Sequence, residues 1–464
     1  IYVAYSWSDY FTSFIDKLGQ GLHINLHIPE YFSTSYMEAK HAIERGSANA
    51  DEIAAWNNAP VVGGLRMILD IPALVINFLI TYLVFRGIKE SRNFSNVMVV
   101  LKIAVVALII IVGGYLVFSN GLTANWLPQN DEGTRSFMPN GFGGVMLAVS
   151  SVFFAYIGFD AVSVLAEESK NPQRDLPRGM ILSLVICTVI YILLSLVLTG
   201  AVNYKNFDGV GDPLAFIFEP QNLNLGWMQF VVAIVAVIAM TSVLLVFQMG
   251  QPRIWMSMSR DGLMPPMFQK IHPKYKTPSF ATIVTGLVVG IPILFTDKTF
   301  VLDFTSIATL FAFVLVCGGV LLIPRKEKIG GRFHLPYINA QFIFPLVVLG
   351  AILMAHALSK TYFTDMFKFD FSANADYVAG KKTFMDLATP NISLIIFWIS
   401  AVLLAIAAFI KKYSLIPLMG VITCMYLLTG MSKSNWQWFI GWLLLGVAIY
   451  FLYGHRNSKL NTKS

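Results

Sequence analysis

The sequence predicts an all-α, polytopic membrane protein. Three observations carry that reading. About eleven apolar runs of roughly 20 residues recur along the 464-residue chain, each of a length to cross a bilayer. Charged residues make up 13% of the chain against 56% hydrophobic, about half the charged share of a soluble domain. The basic residues gather in short polar segments between alternate runs, a pattern that orients a membrane protein. The net charge of +7 therefore argues for topology and against nucleic acid as a partner.

The first element is short. The chain opens on Ile1-Tyr2-Val3-Ala4-Tyr5-Ser6-Trp7, with no initiator Met and no signal peptide. This reads like the outer end of a helix already under way, so residues 1–18 are expected to be the end of a truncated membrane helix. Residues 19–68 are polar and are expected to form an extracytoplasmic loop. Ser35-Tyr36-Met37-Glu38 and Asn49-Ala50-Asp51-Glu52 both have the spacing of a capping box. They predict short helices near 36–45 and 50–57, stopped by Gly46 and Pro60. A segment of this size holds too small a core to be a separate domain.

The spans follow at 69–86, 96–118, 141–166, 179–202, 227–249, 279–296, 301–323 and 341–358. After a polar outer loop, three more follow at 391–410, 413–430 and 435–453, and a tail occupies 454–464. One set of connecting segments, with the C-terminal tail, holds 20 of the 33 Lys and Arg, Arg86, Arg174, Arg253, Lys270, Arg325 and Lys411 among them. The opposite set holds 12, eight of them in the two long loops, where the rule is weak. The first set and the C-terminus are therefore expected in the cytoplasm. Cys187, Cys317 and Cys424 all lie in apolar runs, which suggests neither a metal cluster nor a disulfide framework.

The run at 141–166 contains Phe153-Phe154-Ala155-Tyr156-Ile157-Gly158-Phe159-Asp160. An acid at membrane depth is costly unless it faces protein or water. Gly158 sits just before Asp160 among aromatics. Two readings stand for this run. One is a continuous helix with a packed glycine and a satisfied acid. The other is a discontinuous helix lining a cavity, whose backbone N–H and C=O groups can bind a zwitterion. Lys102 is the second unusual residue. A lysine in mid-span costs about 2.5–3.5 kcal/mol on insertion scales, and it lies too deep for easy snorkelling.

Beyond these residues the chain resembles the cationic amino acid transporter family of the amino acid–polyamine–organocation superfamily. The resemblance rests on Phe154 to Ser163, followed by Glu167-Glu168-Ser169-Lys170-Asn171-Pro172-Gln173-Arg174-Asp175-Leu176-Pro177-Arg178-Gly179. It is supported by Arg86 to Ser91 with Asn96 to Lys102, by Arg253 to Pro265, and by Asp303 to Phe313. It extends from about residue 69 to the last span, leaving out the two long outer loops. It implies a LeuT-like inverted-repeat fold of fourteen helices. About eleven full helices are then present and the first two to three are missing, with 69–118 closing the first repeat and 141–323 forming the second. Residues 341–453 would be the additional C-terminal helices.

The resemblance also implies roles. The carbonyls of Phe154, Ala155 and Ile157, at the break marked by Gly158, would receive a substrate's α-ammonium, with Phe154 as a gate. Lys102 would stand near the place of sodium in sodium-coupled relatives, facing the hydroxyls of Thr241 and Ser242, as the built-in cation of proton-coupled members. The alternative for Lys102 is a permanently charged lysine held by carbonyls. Asp160 has three open roles: holding the broken helix, relaying a proton, or attracting a basic substrate. Glu167, Glu168 and Arg253 would belong to an inner gate and Asp303 to an outer one; solvated faces beside lipid headgroups are the alternative for the first two. The implied function is proton-coupled uptake of cationic or small neutral amino acids across the plasma membrane, or the inner membrane in a Gram-negative cell. Its partners would be substrate, protons and membrane lipid, with no cofactor. An exchanger, and a non-transporting receptor or channel, are the rivals. No HExxH, paired cysteines or P-loop suggests an enzyme or an ATP-driven pump.

Overall fold

The computed structural model describes every residue except 46–49, 88–91, 130–132, 160–170, 324–335, 373–376, 378–381 and 460–464. Its helices fall on the apolar runs. Helix α1 (Tyr2–Leu22) opens the chain, and α2 (Tyr36–Arg45) and α3 (Ala50–Asn58) follow in the loop. A two-residue hairpin pairs β1 (Val61–Val62) with β2 (Leu65–Arg66). Then come α4 (Ile71–Phe85), α5 (Arg92–Ser119), α6 (Gly141–Val152) and α7 (Pro172–Ala201). A short α8 (Pro213–Phe216) precedes α9 (Gly226–Arg260), α10 (Ser279–Ile293) and α11 (Lys298–Leu322). The chain continues through α12 (Ile343–Leu358), α13 (Tyr362–Met366), α14 (Phe384–Lys411), α15 (Leu415–Leu428) and α16 (Lys433–Ile449).

By length and composition, six apolar helices among the described residues are long enough to cross a membrane: those beginning at Asn96, Pro172, Gly226, Lys298, Phe384 and Lys433. The other five expected spans are apolar helices of 10–17 residues, including α4, α10, α12 and α15. The apolar outward faces are what lipid requires. Leu182, Ile192, Leu346, Leu403 and Leu444, for example, are exposed.

The two loop helices sit where the capping spacing predicts. The Glu38 N–H donates to Ser35 Oγ at 3.2 Å, closing the first turn of α2. The helices share a small core of Ala39, Ala55, Ala59 and Ile68, with Tyr36 and Trp56 packed beside it. Helix α1 runs to Leu22, where His23 in the left-handed conformation ends it.

The chain forms two compact units. The first comprises Ile1–Asn140, Ser183–Val301 and Val447–Ser464. Here α1 packs on α4 and α9, and α10 packs on α4 and α9. Polar side chains pin these contacts inside apolar surroundings, where an unpaired group would be costly. The Tyr5 hydroxyl lies 2.8 Å from both the Ile293 and Thr296 carbonyls. Asp70, the N-cap of α4, accepts from the Ala73 N–H at 2.9 Å and from Ser8 Oγ at 2.6 Å. Asn77 Nδ2 donates to the Gly286 carbonyl at 3.0 Å, where α4 and α10 are so close that a Cβ on Gly286 would meet Thr81 at 2.6 Å.

The second unit comprises Gly141–Leu182 and Leu302–Gly446. One core joins α12, α14 and α15 through Phe344, Ala401, Ala405 and Leu418. Another joins α11, α15 and α16 through Ile307, Leu310, Leu427 and Phe439, with Phe153 packed against it.

Candidate functional site

The helix expected to break does so. Helix α6 ends at Val152 and tightens into a 3₁₀ turn over Phe153–Tyr156. The Ile157 N–H donates to the Phe154 carbonyl at 3.0 Å, three residues back rather than four. Ile157 is then extended, at φ −64° and ψ 133°, and Gly158 takes φ +122°. An extended residue ends the helical hydrogen-bond ladder, and an L side chain rarely adopts the conformation of Gly158. The run therefore leaves helical geometry at Phe153 to Gly158, as the discontinuous reading expects, and its part from Asp160 on lies outside the described residues. Phe154 and Ile157 are half-buried and Ala155 is exposed.

The half-helix before the break is anchored. Ser150 Oγ donates to the Leu427 carbonyl at 3.0 Å. Gly430 lies so near that a Cβ there would meet Ser150 Oγ at 2.6 Å.

Three of the expected coupling residues, Lys102, Thr241 and Ser242, lie on helices that pack together. Lys102 is half-buried on α5, and α5 packs against α9, which carries Thr241 and Ser242. Thr241 has a close partner that sequence reasoning did not supply. The Trp7 indole N–H of α1 donates to Thr241 Oγ1 at 2.9 Å, and Thr241 donates to the Val237 carbonyl at 2.8 Å. Trp7 stacks on Phe11 at 4.7 Å, one turn along. Asp160, Glu167 and Glu168 lie outside the described residues. Arg253 is exposed on α9. Asp303, in the first turns of α11, accepts from Asn435 Nδ2 at 2.9 Å, which ties it to α16.

Sequence reasoning missed a polar centre beside the loop helices. Lys298 Nζ lies 2.8 and 2.7 Å from the two carboxylate oxygens of Asp9 and 3.8 Å from Glu38. Its backbone N–H donates to Glu38 Oε1 at 3.3 Å. His41 Nδ1 lies 3.0 Å from Asp297 Oδ2, and Asp297 caps α11 by accepting the Phe300 N–H at 2.6 Å. Glu38 and His41 are three apart on α2, so they share a face. That face grips two consecutive residues at the start of α11. The network lines a cavity of about 420 Å³, which Tyr2, Glu52 and Asp208 also line. Charge alternation along Asp9, Lys298 and Glu38 is invisible in a sequence where the partners lie 289 and 260 residues apart.

Among the described residues no cluster of His, Cys, Asp and Glu has the arrangement of a metal site. The comparisons with known proteins agree with a chain built mostly of apolar helices. A family model described as amino acid permease matches residues 47–368. The chain is 32% identical over 460 residues to the branched-chain amino acid permease of Bacillus subtilis (strain 168), covering 99% of this chain and 74% of that protein. It is 32% identical over 463 residues to the methylthioribose transporter of the same organism, with the same two coverages. It is 28% identical over 455 residues to the vacuolar cationic amino acid transporter 2 of Arabidopsis thaliana, covering 86% of this chain and 70% of that one. Since the model match covers more than half of the chain and the similarity to these transporters runs along most of it, the chain belongs to the amino acid permease family, within the amino acid–polyamine–organocation superfamily, as a multi-pass membrane transporter and not an enzyme.

Proposed function

We propose that this chain carries amino acids across the plasma membrane by proton-coupled, alternating-access transport. The observation that supports the reading is the break at Phe153 to Gly158, where the helical hydrogen-bond ladder ends. The end of a half-helix presents partial negative charge, suited to an α-ammonium at the carbonyls of Phe154, Ala155 and Ile157. The similarity to permeases for branched-chain and cationic amino acids supports an amino acid as cargo. Small neutral or cationic amino acids are the proposed substrates.

Lys102 is the proposed coupling group, with Thr241, Ser242 and Asp160 as further proposed coupling residues. An ammonium within the span would stand in for a coupling metal cation and exchange its proton during a cycle. Glu167, Glu168 and Arg253 are the proposed inner gate and Asp303 part of the outer one.

Purified protein in liposomes, offered a panel of amino acids, tests the reading. Saturable uptake of leucine, alanine or arginine driven by an inward proton gradient is the expected result. Uptake that needs internal amino acid would replace symport by exchange. Uptake that collapses without sodium and ignores a proton gradient would remove Lys102 from the mechanism. Lys102→Ala should abolish gradient-driven uptake while substrate binding, read by ligand-induced thermal shift, persists.

A further inference from the structure

The broken helix carries an aromatic residue on each side of its break, and both rest on the same ring. The Phe153 and Phe313 centroids lie 6.1 Å apart with planes at 86°, an edge-to-face contact. The Phe159 and Phe313 centroids lie 5.5 Å apart at 44°. Phe313 sits on α11, and all three rings are half-buried. On a straight helix, residues six apart point about 120° apart around the axis and lie about 9 Å apart along it. Phe153 and Phe159 would then point to different faces of the helix. They converge because the 3₁₀ turn, extended Ile157 and Gly158 redirect the chain between them.

We propose that Phe313 is a positioning residue for the break: its ring holds Phe153 and Phe159 together and thereby fixes the direction of the backbone at Phe154, Ala155 and Ile157. This rests on reading the break as the substrate site. The residues before the break have a second anchor in Ser150 and Leu427, whereas Phe159 lies on the far side of Gly158. The ring is therefore placed to set the angle between the two sides. Removing it leaves the glycine hinge without that clasp, and the carbonyls lose their common aim. Phe313 touches no substrate in this scheme; it acts through the backbone.

The test uses the full chain in nanodiscs and proteoliposomes, with L-leucine and L-arginine as probes. Hydrogen–deuterium exchange is followed in peptides covering 150–159, without ligand, for wild type, Phe313→Ala and Phe313→Tyr. Two aromatic pairs together correspond to about a tenfold change in an opening equilibrium. Phe313→Ala is expected to speed exchange at 153–159 about tenfold, with α15 and α16 unchanged, and to raise KM for the transported probe about tenfold with kcat within about twofold. Phe313→Tyr, which keeps the ring, should restore both. Wild-type exchange and KM in Phe313→Ala would overturn the proposal. So would a loss of protection spread over the whole unit that Phe313→Tyr does not restore. The site reading fails separately, if neither probe protects 153–159 in the wild type; the ligand-free comparison still decides what the ring does to the break.

Discussion

Gly158 has a φ of +122°, a conformation that a residue with a Cβ holds only at a cost of about 1–3 kcal/mol. Gly158→Ala therefore pushes the break toward another geometry. We expect kcat/KM for uptake to fall about tenfold or more, with helix content by circular dichroism unchanged; normal uptake would show that the turn is not needed in the cycle. Asp212 is the clearest titrating residue outside the spans. Burial, chiefly, pushes its carboxyl from the ordinary 3.8 up to about 7; a hydrogen bond with Ser13 opposes this, and the charges of Asp9 and Glu219 add to it. A carboxyl whose folded value is raised binds more protons folded than unfolded between those limits. Its contribution is thus favourable in acid and is lost as pH rises from about 4 to about 7. Asp212→Asn should flatten that part of the Tm–pH curve and raise Tm at pH 8 by about 3 °C. A curve unchanged from wild type would mean that Asp212 stays solvated.

At the scale of elements, the clasp of α2 on the start of α11 is the contact with most at stake. Asp9, Glu38 and Asp297 are mostly buried, with side-chain exposures of 16%, 12% and 13%. Breaking a buried ion pair by removing one partner costs about 3–5 kcal/mol, because the other charge is stranded. Lys298→Met strands Asp9 and Glu38 together and should lower Tm by about 5 °C or more. Adding Asp9→Asn should recover part of that loss; a double variant no better than the single one would count against the pairing. The sequence announced α2, because Ser35 and Glu38 have capping spacing and apolar residues follow. It announced every apolar run for a similar reason: hydropathy reports local burial in lipid. The break was legible as one of two readings, from Gly158 among aromatics. The Lys298 clasp, the bond of Trp7 to Thr241 and the meeting of two phenylalanines on Phe313 were not. Each joins residues far apart in sequence, and a local pattern says that a side chain is buried without saying against what. Glu38 illustrates the difference, as a capping residue in the sequence that the fold also uses as a counter-ion.

For the whole molecule, the question is which helices cross. Helix α9 has 35 residues, about 52 Å at 1.5 Å per residue, and exceeds the roughly 30 Å hydrocarbon core. Helix α4 has 15, about 22 Å, and falls short of it. A short apolar helix still crosses if the bilayer thins or flanking residues snorkel, at fractions of a kcal/mol per Å. The distribution of Lys and Arg is the reason to expect that α4 crosses: it assigns the segment before α4 to the outside, and the segments after α4 and after α9 to the inside. Between Val62 and Lys270 lie α4, α5, the helix broken at 153–158, α7 and α9, so an odd number of crossings places the two residues on opposite faces. Both are exposed. In a variant with Cys187, Cys317 and Cys424 replaced, Val62→Cys should react with a membrane-impermeant maleimide on intact cells. Lys270→Cys should react only after permeabilisation. Reaction of both on intact cells would mean that one helix of the five, α4 first among them, lies in the membrane without spanning it. The reverse pattern would invert the orientation and put the Lys298 clasp on the cytoplasmic side.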